Sequence, residues 1–436
     1  MKAFQDRRAQ FFTLMENNSM AVFPAGSEKT RSNDTEYPFC QNSDFYYLTG
    51  FNEPDACLLL IKKMDKQSAV LFNREKDKTA EIWHGYRLGQ SGAVSDLGFD
   101  EAYPIDLLAE HLQNLLNGLS ALYFPVFQDP GLDKMLSKAV NTLRADRRKG
   151  KAPATYIDSL AMLHEMRLIK SAAEIALLFE AAEISAAGHI RAMQKCHSGM
   201  WEFQLQAELE HEFAVQGAPE VAYNSIVATG KNACILHYTE NKRQLRDGEL
   251  VLIDAGAEYQ GYAGDITRTF PVNGVFSAEQ AALYQLVLDA QISAISQVKP
   301  GVALAEINNN VIKQLVDGLL ALGLLQGDSE TLIKDEAYKA FYMHGIGHYL
   351  GLDVHDVGDY GTLAEPRLLE AGMVVTIEPG LYVSASADVD DKWKNIGIRI
   401  EDDILVTALG AEVLTAGVPK SINEIEALMA DAQQHA

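Results

Sequence analysis

The chain has 436 residues, 47% of them hydrophobic, and a formal net charge of -23. That length exceeds one ordinary core and predicts two domains, and the hydrophobic content excludes a disordered chain. So acidic a surface excludes nucleic acid and anionic membrane as expected partners, and carboxylates destined for bound cations count toward the same formal sum.

The opening segment, MKAFQDRRAQFFTLMENN, has neither an apolar core of signal-peptide length nor a small-residue cleavage site. No apolar run approaches the ~18 residues of a membrane span. Cys40, Cys57, Cys196 and Cys234 are widely spaced and form no CxxC pair. This is the pattern of reduced thiols, and it predicts a cytoplasmic protein.

Residues 19–127 alternate short apolar runs with helical patterns. SMAVFPAG, ACLLLIKK, SAVLFNRE and ALYFPVF read as strands, and IDLLAEHLQNLL as a helix between two of them. They predict an N-terminal α/β domain with a buried sheet, assigned to residues 1–168. The basic stretch RADRRKGKAPAT, 144–155, breaks the pattern and reads as a linker to a helix near 157–168.

A second domain, 169–436, opens on SAAE at 171–174, where Ser171 and Glu174 have capping-box spacing. Apolar residues then recur at helical spacing, and a second helix, WEFQLQAELEHEFAVQG, ends at Gly217. Strands follow in ELVLIDAGA (249–257) and YAGDITRTFPV (262–272), joined by EYQG. The order repeats. SAEQ at 277–280 opens a helix to about Val298, LAEINNNVIKQLVDGLLAL gives another, and GMVVTIEPGLYV (372–383) and GIRIEDDILVT (397–407) read as strands. Residues 171–407 thus read as a duplication, an arrangement that often binds its ligand between the halves.

Four acids are misplaced in these apolar strands. Asp254 ends VLID, Asp265 interrupts GYAGDITRTF, Glu378 follows VVTI, and Glu401 follows GIRI. Burying an ionised carboxylate costs several kcal/mol or more without compensation. Each alone has an ordinary reading: a turn acid, a partner for Arg268, a cap, a member of a solvated EDD run. Two in each half are harder to dismiss, because clustered carboxylates repel and two divalent cations would neutralise them. The segment FYMHGIGHYLGLDVHDVG, 341–358, adds His344, His348 and His355 among glycines. His348 completes an oxygen-rich donor set that favours manganese, with iron or cobalt as alternatives, over a thiolate-type zinc site. Two metals ~3.5–4 Å apart would hold a bridging hydroxide, a nucleophile for hydrolysis.

The set VLIDAG…GDITRTF, MHGIGHYLGLDVHDVG, VVTIEPGLYV and GIRIEDD resembles the aminopeptidase P (Xaa-Pro aminopeptidase) branch of the pita-bread metallopeptidases. TEYPFCQNSDFYYLTGFNEPDACLLL and FNREKDKTAEIWHGYRLGQ resemble that family's N-terminal domain. The resemblance implies an α+β pita-bread catalytic domain with internal pseudo-two-fold symmetry. It also implies two metals, usually manganese, held by Asp254, Asp265, His348, Glu378 and Glu401. Glu378 would also move the proton during water attack. His237, His344 and His355 would line the pocket and donate to the peptide carbonyl and oxyanion, with Gly345 and Gly347 letting the backbone bend around His348. Tyr382 and Arg399 match further substrate-binding residues, as do Trp83 and Arg147 of the N-terminal domain. The implied activity releases the first residue of peptides with proline in second position, in a homo-oligomer, tetramer or dimer. The rivals are prolidase, with the same metal set, and a binding module that has lost its metals.

Overall fold

The computed structural model describes residues 2–64, 66–146, 148–362 and 364–434. The chain divides into two compact units, Met1–Met166 and Arg167–Ala436.

In the first unit six strands lie in the order Glu101–Pro104, Lys66–Asn73, Cys57–Lys63, Ser19–Pro24, Ala121–Phe124, Thr155–Asp158. The second, third and fourth in this order run antiparallel to one another in turn, and the remaining three lie parallel to their neighbours. Cys57–Ile61 is buried at every position, as its unbroken apolar run requires of a strand covered on both faces. Leu108, Leu112 and Leu116 recur every four residues along the helix Leu108–Leu116 and pack with Leu132 and Leu136 of the helix Pro130–Ala145 into the core. Thr155–Asp158 corrects the linker reading. TYID is short and half polar, yet it adds a strand beside Ala121–Phe124, and the helix that follows is confined to Leu160–Leu168.

The second unit opens on the helix Ala172–Lys195, where the Glu174 carboxylate accepts the Ser171 backbone N–H at 3.0 Å. The helix Glu202–Val215 packs against it. Three antiparallel strands follow, Ile226–Thr229, Leu250–Asp254 and Thr267–Pro271, with Leu250–Asp254 in the middle. The pattern recurs with helices Ala278–Gln297 and Leu304–Ala321, then strands Val374–Ile377 and Asp402–Val406 and the hairpin Gly380–Val383/Ile396–Arg399. The halves are stitched together in one short region. Glu401 N–H donates to Thr267 O at 3.0 Å, and Thr269 Oγ1 donates to Arg399 O at 3.0 Å.

Each segment expected as one continuous strand is broken at its acid. Leu250–Asp254 ends on Asp254. Asp265 falls between Tyr262–Ala263 and Thr267–Pro271. Glu378 and Pro379 separate two strands, and so do Ile400 and Glu401. The registers Asp254↔Thr267 and Ile377↔Asp402 set these breaks at the same ends of their sheets. Gly256 lets two of them meet, since a Cβ there would lie 1.7 Å from the carbonyl oxygen of Gly264.

Candidate active site

The strand ends open onto one cavity of about 490 Å³, lined by Asp254, Asp265, His348, Glu378 and Glu401 and, around them, by His237, His344, His355 and Arg399. His348 is brought there by its backbone. Its segment runs beside Val374–Ile377, with Thr376 N–H donating to His348 O at 2.9 Å and Glu378 N–H to Ile346 O at 2.8 Å. Gly347 is needed for that approach, because a Cβ would stand 1.9 Å from Thr376 O. Gly345 is not crowded, since a Cβ there would meet nothing within 4 Å, so the role expected of it is corrected.

His348 Nδ1 lies 3.0 Å from Tyr349 O, so that nitrogen carries the hydrogen and Nε2 faces the acids. Nε2 is 3.5 Å from Asp265 Oδ2 and 3.7 Å from Glu378 Oε1. One donor atom each from Asp265, His348 and Glu401 lies within 4.8 Å of the others, the only such group of three or more among the described residues. Burial, then repulsion from Asp265, Glu378 and Asp254, pushes the Glu401 pKa far above the usual carboxylate range. Burial also raises Asp265, and pushes Glu378 up to about 7 against the pull of His348 and Arg399. Burial alone would lower His348, but the hydrogen bond and charge of Asp265 outweigh it and carry the imidazole up to about 9. Asp265, His348, Glu378 and Glu401 therefore all favour added positive charge. That fits a site for divalent cations and not a set of structural ion pairs.

Two of the ordinary readings of these acids do not hold. Arg268 pairs with Asp402 at 2.7 Å, not with Asp265. The EDD run is not solvated, because Glu401 is only 2% exposed and Asp402 and Asp403 are fully buried. Asp402 also receives Lys420 at 2.6 Å, which with Arg268 holds its pKa down at about 2 against burial. Asp403 Oδ2 accepts the backbone N–H of Asp265 at 3.0 Å, so the middle acid's neighbour anchors a metal-site candidate.

Two further groups hold the acids and had no signal in the sequence. The Tyr223 hydroxyl lies between Asp254, at 2.6 Å, and Asp265, with its one hydrogen to give to either. Thr267 Oγ1 donates to Glu401 Oε2 at 2.6 Å and accepts Arg399 Nε at 3.1 Å. A lone tyrosine in VAYNSI and a threonine in a strand are ordinary residues until the fold sets them beside carboxylates.

Tyr382, expected in the pocket wall, is a correction. It is 1% exposed and lies behind the cavity, where its hydroxyl meets Arg399 Nη1 at 2.9 Å and His344 Nε2 at 2.8 Å. His344 Nδ1 lies 2.8 Å from Gly345 O and so carries the hydrogen, leaving Nε2 to accept from Tyr382. Both nitrogens are thereby engaged, while the ring lines the cavity. Burial, then the Arg399 charge, lowers the His344 pKa to about 4, so the ring stays neutral. His355 packs edge-on against His348 with ring centroids 4.2 Å apart and lines the cavity with His237. Arg399 also donates through Nη2 to Asp254. Trp83 stands 79% exposed on the helix Lys78–His84 of the first unit. Arg147 lies outside the described residues.

Comparison with known proteins gives the same reading. Metallopeptidase family M24 matches residues 176–408, and the aminopeptidase P N-terminal domain matches residues 4–123. An Xaa-Pro aminopeptidase of Escherichia coli is 50% identical over 433 residues, covering 99% of this chain and 98% of its own. The structure of proline aminopeptidase P II from Yersinia pestis superposes with a TM-score of 0.96 at 53% identity, over 98% of this chain and 99% of that one. A zinc-substituted E. coli aminopeptidase P in complex with product superposes with a TM-score of 0.97 at 50% identity, over 99% of this chain and 98% of that one.

Proposed function

The chain belongs to metallopeptidase family M24, and from that membership and its acid-lined cavity we infer that it releases the N-terminal residue from peptides with proline in second position. The observation that carries the reading is the meeting of Asp254, Asp265, His348, Glu378 and Glu401 on one cavity wall, although up to 147 residues of chain separate them.

We assign those five side chains as the holders of two divalent cations, with manganese favoured by four carboxylates and one imidazole. Bound there, such cations supply an acidified water and a charge sink for a carbonyl oxygen. The protein's own groups do the rest. Glu378, with its pKa drawn toward neutrality by burial, is suited to take up and return a proton. His237 and His355 face the cavity and offer donors to a peptide carbonyl. The chain Arg399–Tyr382–His344 fixes the wall behind them.

Arg399 also weighs against the dipeptidase reading. A dipeptidase needs a cation for the free carboxylate beside proline, and this guanidinium is already engaged with Asp254, Tyr382 and Thr267. No helix among the described residues is long and apolar enough to cross a membrane. A cytoplasmic location is proposed from the cysteine pattern. A homo-oligomer, tetramer or dimer, is proposed from the exposed Ile82, Trp83 and Tyr86, an apolar group that a second copy would cover and from which Trp83 would reach that copy's cavity.

The test is a matched series of Xaa-Pro, Xaa-Pro-Yaa, a longer Xaa-Pro peptide and an Xaa-Ala-Yaa control. Efficient release of Xaa from the tripeptide and longer peptide, with little from the alanine control, is expected. Rapid cleavage of Xaa-Pro alone would make the enzyme a prolidase.

A further inference from the structure

A second cleft, of about 860 Å³, opens beside the acid-lined cavity and shares His237 and Thr239 with it. The segment 235–240 is therefore a common wall, and a peptide that left the cavity past His237 would enter this cleft. Its charge is opposite to that of the molecule. The formal net charge is -23, yet the cleft is lined by Lys231, Lys242, Arg243 and Arg246 against a single carboxylate, Glu240.

Two of these cations are committed. Lys242 pairs with Glu240 at 2.5 Å, and Arg243 is held by Glu249 at 2.6 Å and by Thr229 O at 2.6 Å. Lys231 and Arg246 are exposed, and their side chains form no ion pair among the described residues. A positive surface left unneutralised next to a site crowded with acids is not explained by the fold, since the nearest excess charge would attract it into pairs.

We propose that this cleft is a binding site for the downstream part of the peptide substrate, in which Lys231 and Arg246 select carboxylates carried beyond the residue that follows proline. The proposal rests on the aminopeptidase reading above, because only a chain that continues past proline reaches the cleft. Two sources supply the carboxylate, an acidic side chain or the peptide's own C-terminus. Trp201, 41% exposed at the cleft and stacked on Phe203 at 5.9 Å, offers an apolar face to the peptide stem.

The experiment compares kcat/KM for Xaa-Pro-Ala-Ala-Glu-Glu, -Ser-Ser and -Lys-Lys peptides, each as C-terminal amide and free acid, with Xaa-Pro-Ala amide alongside. The metal-loaded full chain is used at low and high salt. The Glu-Glu amide should exceed the Lys-Lys amide by about fivefold to tenfold through KM, the scale of two exposed ion pairs. Salt should shrink the difference. In Lys231→Glu/Arg246→Glu the order should reverse. A gain from the free acid over the amide in the Ser-Ser peptide assigns the C-terminus as a source, and a gain confined to Glu-Glu assigns side chains. Equal kcat/KM for acidic and basic amides together with no gain from any free acid, or a preference that survives the double substitution, overturns the proposal alone. Failure of the wild-type enzyme to cleave Xaa-Pro-Ala amide overturns the aminopeptidase reading and this proposal with it.

Discussion

The Tyr382 hydroxyl accepts a hydrogen bond from Nη1 of Arg399 at 2.9 Å and passes its own hydrogen to His344 Nε2 at 2.8 Å. Arg399 and Tyr382 are buried and His344 is half-buried, and Asp254 takes the arginine's other nitrogen. Tyr382→Phe keeps the ring and removes the link. It leaves a buried imidazole nitrogen unpaired, and frees both His344 and Arg399 to reorient. A hydrogen bond to a charged group contributes about 1.5–3 kcal/mol. Turnover should fall about tenfold or more with metal content unchanged. Equal kcat in wild type and variant, at equal metal occupancy, would show that the link is ornamental to the reaction.

Burial pushes the Glu378 pKa up to about 7. Glu378→Gln keeps its volume but removes the proton acceptor and one donor to the proposed cations. Turnover should drop by at least about a hundredfold, the scale of lost acid–base assistance. Part of that drop would come from lost metal, so elemental analysis must accompany the rate. A fully metallated and fully active variant would remove Glu378 from the mechanism. Chelation of the wild-type enzyme should likewise abolish hydrolysis and lower its unfolding temperature, because a ligand of the folded state alone stabilises it by mass action.

What the sequence revealed and what it hid follow from range and symmetry. An acid at the end of an apolar strand is a local contradiction, visible within five residues, and so Asp254, Asp265, Glu378 and Glu401 stood out. Their supports did not. Arg268 reaches Asp402, Asp403 reaches the Asp265 backbone, and Thr267 reaches Glu401, each across more than 130 residues of chain. Tyr382 was expected to face substrate because it sits in a site motif, but it lies in a strand buried at every position, with its hydroxyl on Arg399. Thr155–Asp158 was hidden because an edge strand is set by its neighbour's open backbone more than by its own alternation.

Gly347 and Gly345 flank the same short turn and should respond oppositely to substitution. A Cβ on Gly347 would collide with backbone, Thr376 O at 1.9 Å, and backbone there is held in a ladder that cannot yield locally. Gly347→Ala should cost about 1–3 kcal/mol and displace His348, with activity falling accordingly. Gly345→Ala adds its methyl to open space and lies outside the positive-φ region, so stability should change by no more than about 0.5 kcal/mol. Denaturant midpoints for the pair check this directly. Equal losses at both positions would show that the turn needs glycine for flexibility and not for the close approach at Gly347.

His189 sets a pH dependence that is independent of substrate. It is fully buried in the helix Ala172–Lys195, where Nε2 donates to Ala255 O at 2.9 Å and Nδ1 has no partner. Burial lowers its pKa from the ordinary 6.5 to about 4, helped by the Arg268 charge. The unfolded chain therefore binds a proton between those two values that the folded chain refuses. Stability rises with pH through that window, is lost as pH falls from about 6.5 to about 4, and loses nothing further from this residue below it. The displacement corresponds to as much as about 3 kcal/mol. His189→Gln retains a side-chain N–H for Ala255 O and cannot titrate. Urea unfolding of the metal-free chain at pH 7 and pH 5 should show a smaller difference for the variant than for wild type. Parallel losses in the two proteins would place the acid sensitivity in this window elsewhere than His189.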